Sequence, residues 1–148
     1  MSTSKLGRKK EHRERTLRNL ATSLVLFEKV NTTEAKAKTV LPMVERLLTQ
    51  AMTGSLAARR QAKAVLFDTN AVAKLFEDMA TRKGERTSGF VRLTKLPVRH
   101  GDGASMAQME ILYTPLEAVL AEKTGVKTKV TRAKATAKTE EAADTTEA

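Results

Sequence analysis

The longest stretch of helical periodicity, residues 34–52, constrains the fold most strongly, because its apolar side chains must be covered by the rest of the chain. Apolar residues recur there at intervals of three and four, which is the pattern of an amphipathic helix with one buried side. That stripe consists of Val40, Leu41, Val44, Leu47, Leu48 and Ala51. Thr53 and Gly54 provide a glycine-type helix end. Pro42 removes one backbone donor, so we expect a kink or a break near residues 39–41.

The start of this helix combines capping residues with cations. Thr33 is a suitable N-cap, whereas Asn31 with Glu34 has the spacing of a capping box and would place the cap two residues earlier. Lys36 and Lys38 follow at once, where the helix dipole disfavours positive charge. A phosphate bound at the free amides would resolve that conflict. Two ordinary solvated lysines are the alternative, and the residues alone leave both open.

Residues 11–27 form a second helical pattern, with an apolar side and a basic side. The apolar stripe consists of Leu17, Leu20, Ala21, Leu24 and Phe27. Roughly opposite lie Arg15, Arg18 and Thr22, which we expect to face outward. Short polar groups beside a basic face suit contacts to phosphate and ribose. The candidate contact residues of this helix are Arg13, Arg15, Arg18, Asn19, Thr22 and Ser23.

Two shorter helices follow, over residues 56–67 with Ser55 as cap and over residues 71–81 after a turn at 68–70. The first carries a second cationic patch, Arg59, Arg60 and Lys63, without any acid. The second carries Glu77 and Asp78, which we interpret as a solvated face, because neighbouring residues on a helix point in different directions. The loop over 82–89 adds Arg82 and Arg86.

Three segments predict strands. Residues 28–32 are a candidate edge strand, and residues 90–96 and 107–113 should pair antiparallel across the basic connection 97–105, which contains Arg99 and His100. Arg92 and Lys95 fall on opposite faces of the second strand, so its buried face stays ambiguous. A short helix over 116–122 is expected after the last strand.

The charge of the chain limits its partners. A formal net charge of +10 and a pI near 10.1 favour a polyanion, most commonly nucleic acid. Aromatic residues make up only 3% of the chain, so binding should rely on phosphates, sugars and shape more than on base stacking. Cysteine is absent, which excludes disulfides and cysteine-ligated metals. No apolar run is long enough for a membrane span and no secretory signal is present, so we expect a cytoplasmic protein.

The tails differ from the centre in composition. Residues 1–10 are polar and carry Lys5, Arg8, Lys9 and Lys10, which predicts an extended basic arm that orders on its partner. Residues 123–148 are a low-complexity tail, basic first and acidic last. The expected organisation is therefore an arm over 1–10, one globular domain over 11–122 and a tail over 123–148.

The sequence contains no motif for catalysis, cofactor binding or metal binding. Phosphate-cradling loops, nucleophile elbows and zinc motifs are missing, and the only histidines, His12 and His100, lie among cations. A structural protein that binds nucleic acid through its phosphates is the first hypothesis. A helix-turn-helix or nucleoid DNA-binding protein, using the third and fourth helices, is the second. A basic adaptor for an acidic protein is the third.

From about Lys5 to about Tyr113 the chain resembles the bacterial large-subunit ribosomal protein seventeen family. The resemblance rests on several collinear pieces whose order and spacing agree together. They are Lys5-Leu6-Gly7-Arg8, His12-Arg13, residues 17–24, residues 32–38 with Glu45, Leu47, Leu48 and Thr49, residues 58–62, residues 72–77, and Arg99-His100-Gly101-Asp102 with Met106-Ala107. The chain begins Met1-Ser2-Thr3-Ser4 where many members have Met-Arg-His, and its tail exceeds the common family core.

The resemblance implies an α+β fold with helices on one side of a small mixed sheet. It also implies a structural, non-catalytic protein that binds large-subunit ribosomal RNA near the peptide exit region and contacts neighbouring proteins, including ribosomal protein thirty-two. No cofactor is implied. The residues expected to contact RNA are Lys5, Arg8, Lys9, Lys10, His12, Arg13, Arg15, Arg18, Asn19, Thr22, Ser23, Lys36, Lys38, Arg59, Arg60, Lys63, Arg82, Arg86, Arg92, Lys95, Arg99 and His100.

Overall fold

A computed structural model describes residues 4–82, 84 and 86–114. Within them lie four helices and three strands. In chain order these are α1 (Lys10–Phe27), β1 (Lys29–Thr33), α2 (Glu34–Met52), α3 (Leu56–Val65), α4 (Thr69–Thr81), β2 (Val91–Leu96) and β3 (Met106–Ile111). The α+β class is confirmed. The expected helix over 116–122 and the tail over 123–148 lie outside the described residues.

The three strands form a sheet in the order β1-β3-β2, with β3 in the centre. Met109 of β3 lies opposite both Val30 of β1 and Leu93 of β2. Both pairings are antiparallel, whereas a mixed sheet was expected. The hairpin fixes the direction of β2 against β3, but no residue pattern in β1 reveals which way it runs, because α2, α3, α4 and β2 intervene before its partner.

One face of the sheet is covered by helices. Along β3, Ala107, Met109 and Ile111 are buried, and they alternate with partly exposed Gln108 and Glu110. Such alternation is typical of a strand with one face on the core. Helices α1 and α2 pack directly on the sheet, while α3 and α4 pack mainly on those helices. The expected one-sided arrangement is confirmed, and no helix among the described residues covers the opposite face of the sheet, which we call the open face.

The core is built around α2. The largest fully buried side chains come from every layer of the fold: Leu24, Val25, Val40, Val44, Leu48, Leu75, Met79, Phe90 and Met109. Phe90 stands just before β2, and the amide of the next residue, Val91, donates to Glu45 Oε1 of α2 at 2.9 Å. That bond ties the start of an edge strand to the central helix.

Helix α2 runs through Pro42 without interruption, so the predicted break is wrong. Pro42 is exposed, and so is Lys38, the residue whose carbonyl loses its helical partner. Thr33 occupies the N-cap position, but its hydroxyl accepts no capping bond. The amide of Glu34 donates instead to the carbonyl of Ser105 at 3.0 Å, so a tertiary contact replaces the local cap. Asn31 lies within β1 and is not the cap.

The other helix ends follow the sequence more closely. Gly54 adopts a φ of +62°, which confirms the glycine end of α2. Ser55 accepts from the amide of Ala58 at 3.2 Å, as a cap should. Asp68 is the cap of α4 and accepts from the amide of Asn70, so that helix begins two residues earlier than expected.

The described part of the N-terminal arm is not fully extended. The amide of Arg8 donates to the carbonyl of Lys5 at 3.1 Å and closes a turn. Leu6, the one large apolar residue in this turn, packs against the core. Burial of that side chain holds residues 5–8 on the domain, while the lysines beside it stay exposed.

Candidate nucleic-acid interface

Most of the cations expected to contact RNA are exposed, and many of them have no acidic partner. Among the cations expected to contact RNA, we define the unpaired cations as those that are exposed and form no ion pair with another described residue. They are Lys5, Lys9, Lys10, Arg15, Arg59, Arg60, Lys63, Arg86 and Arg92. His12, Asn19 and His100 are also exposed, whereas Arg8, Arg13, Ser23 and Lys36 are half-buried.

Helix α3 presents the densest group of unpaired cations. Arg59, Arg60 and Lys63 lie within little more than one turn, and the helix contains no acidic residue. Its buried side consists only of Ala58 and Ala62, so the cations occupy the outward part of a helix that packs through small residues. The Arg59 guanidinium also lies 4.9 Å from the ring centroid of Phe76, which fixes its direction.

Arg18 does not face outward, contrary to the sequence analysis. Its Nε donates to the carbonyl of Val65 at 2.7 Å, and its Nη2 donates to the carbonyl of Ala64. These are free carbonyls at the C-terminal end of α3, where a cation is favourable for the helix dipole. Arg18 therefore joins α1 to α3, and its guanidinium is used inside the protein.

Thr22 is also turned inward. The residue is 8% exposed, its hydroxyl donates to the carbonyl of Arg18, and the same hydroxyl accepts from the amide of Phe67 at 3.3 Å. The side of α1 opposite the apolar stripe is thus partly covered by the loop between α3 and α4. Arg15, one turn before Arg18, is the residue of the expected basic face that stays exposed.

Arg82 is buried and cannot serve as a surface RNA contact. It is 6% exposed and donates to both carboxylate oxygens of Glu28, at 2.8 and 3.0 Å, and to Asp78 at 3.1 Å. Its guanidinium lies 4.9 Å from the ring centroid of Tyr113, and its Nε donates to the carbonyl of Thr114. We therefore remove Arg82 from the set of candidate RNA contacts.

Asp78 corrects the interpretation of α4 as a solvated acidic face. It is buried and paired with Arg82 one helical turn later, while Glu77 beside it is exposed. The spacing of four between Asp78 and Arg82 was a signal for this pair. The burial of the pair follows from Glu28, which lies 54 residues away in sequence and is brought near by the fold.

The carboxylate of Glu28, at the junction of α1 and β1, forms ion pairs with two cations. It has a φ of +62°, and its carboxylate contacts Arg82 and also Lys74 Nζ, the latter at 3.0 Å. Lys74 Nζ donates as well to the carbonyl of Leu26 near the end of α1. The hydrogen bonds from Arg82, together with Lys74 and against partial burial, lower the pKa of Glu28 from 4.5 to about 2.

This shift predicts a loss of stability in acid. Because the pKa of Glu28 is lower in the folded chain, its contribution is complete above pH 4.5 and is lost as the pH falls toward 2. Thermal unfolding should be recorded between pH 7 and that limit for the wild type and for Glu28→Gln. We expect the gap between their melting temperatures to narrow across this window. Parallel curves throughout would contradict the assignment.

The carboxylate of Glu34 lies at the N-terminus of α2, near two lysines. Lys38 Nζ lies 2.7 Å from Glu34 Oε1, and Lys95 Nζ lies 3.9 Å from the same oxygen. The Lys38 hydrogen bond lowers the pKa of Glu34. A depression of about 510 Å³ opens beside this end, lined by Thr33, Glu34, Ala35, Lys38, Ala104 and Ser105. Glu34 offsets the charge of Lys38 locally, so the unfavourable placement of that lysine does not require an external phosphate.

The tip of the β2–β3 hairpin is exposed and partly neutralised. Arg99 Nε donates to Asp102 Oδ1 at 3.0 Å, and a second guanidinium nitrogen contacts Oδ2. The Arg99 guanidinium holds the pKa of Asp102 at about 2. His100 stands in the same turn with its side chain exposed, next to Gly101 at a φ of +100°. The exposed groups at the tip are therefore the Arg99 guanidinium, whose charge is offset by Asp102, and the His100 imidazole.

Charged side chains from all three strands lie side by side on the open face of the sheet. Arg92 of β2 and Lys29 of β1 both lie opposite Glu110 of β3, and Lys29 Nζ is 3.0 Å from that carboxylate. Lys95 lies on the same face of β2 as Leu93, which faces the helices. Lys95 is nevertheless exposed and lies beside Glu34 at the end of the strand. The ambiguity of β2 is resolved: Arg92 points to the open face.

Two further observations bear on the chemistry of the described residues. Within ranges 4–82, 84 and 86–114, no three side chains of histidine, aspartate or glutamate come together as metal ligands would. Nor does any helix of this part have the length and apolar character needed to cross a membrane.

The family model for ribosomal protein L17 matches residues 16–112, which is well over half of the chain. The chain belongs to the L17 family of ribosomal proteins. Large ribosomal subunit protein bL17 of Caldanaerobacter subterraneus subsp. tengcongensis is 46% identical over 112 residues, covering 76% of this chain and 100% of the relative. The bL17 protein of Carboxydothermus hydrogenoformans is 45% identical over 108 residues, covering 73% and 96%. That of Pelodictyon phaeoclathratiforme is 39% identical over 139 residues, covering 94% and 91%.

The L17 match bears on the described fold as a whole, from within α1 to just past β3. It confirms the family resemblance found in the sequence. Sequence reasoning missed two residues: Lys74, which joins α4 to α1, and Phe67, which is exposed beside Arg18. Phe67 was expected at the end of α3, whereas it lies after that helix and directly before the cap Asp68.

Proposed function

We propose that this L17-family chain is a structural constituent of the large ribosomal subunit that binds the ribosomal RNA of that subunit. The observation that carries the proposal is the group of unpaired cations on α3, Arg59, Arg60 and Lys63. Such a group on a folded surface favours a polyanionic partner. The relatives named as large ribosomal subunit proteins point to ribosomal RNA as that partner.

Binding would be distributed over several surfaces. The unpaired cations stand on the turn at residues 5–9, the N-terminal half of α1, α3, the loop after α4 and the open sheet face. Contacts of this kind position a protein on the RNA backbone without reading many bases. A protein that touches separate RNA segments with separate surfaces holds those segments together, which is a structural role.

We also infer from the family resemblance a position near the peptide exit region and contact with ribosomal protein thirty-two. Within the assembled subunit the protein would be cytoplasmic. No cofactor is required, and the role is structural rather than catalytic, as is expected for a member of a ribosomal protein family. Among the paired cations, Lys38, Lys95 and Arg99 are secondary candidates for RNA contact, because binding RNA would have to compete with their acids.

Binding to purified large-subunit ribosomal RNA tests this proposal. We expect saturable binding that weakens steeply with salt, because phosphate contacts release counterions. Duplex DNA of equal phosphate concentration should compete poorly. Equal competition by DNA would favour the helix-turn-helix alternative, although α4 presents Glu77 and alanines outward. Capture of an acidic protein that survives nuclease treatment would favour the adaptor alternative.

A further inference from the structure

Phe67 is held in an exposed position between α3 and α4. It is 52% exposed, although it is a large apolar residue in a domain with a well-packed core. Its backbone is fixed, because its amide donates to Thr22 Oγ1 and the next residue, Asp68, caps α4. The exposed ring therefore stands on a rigid loop.

One face of this ring is already stacked. The Arg18 guanidinium lies 4.4 Å from the ring centroid, and Arg18 itself is anchored by two bonds to the carbonyls of Ala64 and Val65. A guanidinium plane over an aromatic ring is a stable cation–π arrangement. Because the guanidinium covers that face, we assign the exposed area of Phe67 to the opposite face and the ring edge.

Unpaired cations lie on α1 and α3, the two helices next to Phe67. Arg15 lies three residues before Arg18 and so shares its side of α1, and Lys63 lies in the last turn of α3 beside the anchored carbonyls. Both are exposed and without an acidic partner among the described residues. Of the acids near this loop, Asp68 accepts from the amide of Asn70, whereas Glu14, one turn before Arg18, is exposed on α1. An exposed ring next to two helices that carry unpaired cations fits a base with its flanking phosphates.

We propose that the free face of Phe67 stacks on an unpaired nucleobase of the bound RNA, with Arg15 and Lys63 on the adjoining phosphates. The inference rests on the proposed function and adds a base contact that the low aromatic content argued against. The proposed target is an unstacked base in a loop or bulge, because RNA exposes the faces of its bases there.

Phe27 provides a matched control. It is even more exposed, at 72%, but no cation stacks on it within the described part of the chain, and its neighbour is the carboxylate of Glu28. Exposure alone would favour Phe27, whereas preorganisation and charge favour Phe67. Comparing variants of the two phenylalanines therefore distinguishes a ring that is positioned to stack on a base from a ring that is only exposed.

The first test uses tryptophan fluorescence. The chain contains no Trp, so Phe67→Trp and Phe27→Trp each give a single reporter. At low salt, oligoadenylate should quench the Phe67→Trp emission, while polyphosphate of matched charge should leave it unchanged. Phe27→Trp should respond to neither. Absence of quenching in Phe67→Trp, equal quenching by polyphosphate, or equal quenching of both variants would overturn the proposal.

The second test measures affinity for purified large-subunit ribosomal RNA. Phe67→Leu keeps an apolar side chain but removes the π face, and we expect it to weaken binding by about fivefold to a hundredfold. Phe67→Trp keeps a π face and should lose less affinity than Phe67→Leu does, whereas Phe27→Leu should bind as the wild type does. If the wild type binds and Phe67→Leu binds equally well, the stacking inference alone fails. If the wild type does not bind this RNA, the proposed function fails and the stacking inference fails with it.

Discussion

Replacing Arg82 with alanine should lower the free energy of unfolding by about 3–5 kcal/mol, which is the cost of removing one partner from a buried ion pair. The variant leaves the carboxylates of Glu28 and Asp78 without the guanidinium that donates to them. The bonds that raise the pKa of Arg82 are the same contacts. Urea unfolding monitored by circular dichroism measures the change.

Arg99→Ala is the matched control for this loss. It also removes an arginine bonded to an aspartate, but both side chains lie exposed at the hairpin tip, where an ion pair adds little to stability. We expect its unfolding curve to overlay that of the wild type. Equal destabilisation by the two variants, or none by Arg82→Ala, would contradict the assignment of Arg82 as a buried structural residue.

Removing two unpaired cations from α3 should flatten the salt dependence of RNA binding. For Arg60→Ala with Lys63→Ala, the slope of log affinity against log salt should fall in magnitude by about 1.4–1.8, because each phosphate contact contributes about 0.7–0.9. Both residues are exposed, so the fold should be unaffected. Filter binding to large-subunit ribosomal RNA across a salt series gives the slope.

A double variant of paired cations has the same change in net charge. Lys38→Ala with Arg99→Ala removes two cations that Glu34 and Asp102 already offset. We expect this variant to change the slope by less than half as much. Equal slopes for the two variants would mean that net charge, rather than the α3 surface, governs binding, and the proposed interface would be wrong.

Local patterns predicted the elements well, because periodicity reports directly which side of an element is buried. The residues next to one another in sequence were enough to predict the buried stripe of α2, the alternating burial along β3 and the Ser55 cap. Predictions were less accurate at the ends of helices. Phe27 and Leu56 belong to apolar patterns, yet both are exposed where α1 ends and α3 begins.

Contacts between distant segments explain the errors at the candidate site. The carbonyls bonded by Arg18, the Phe67 amide bonded to Thr22 and the Glu28 partner of Arg82 lie 45 or more residues away in sequence, so no spacing rule reveals them. A helical wheel gives α1 one buried side, but the fold covers a second side with the loop at Phe67. The exposed cations of α3 were predicted correctly as a patch, since a helix of small residues without acids leaves its arginines no local partner.

Cosedimentation tests the central claim most directly. A lysate of cells containing the full chain would be separated on a sucrose gradient in moderate salt, with and without ribonuclease, and the protein followed by mass spectrometry. Our account predicts stoichiometric migration with the large ribosomal subunit that ribonuclease abolishes. Migration at the top of the gradient, or with the nucleoid, would contradict it.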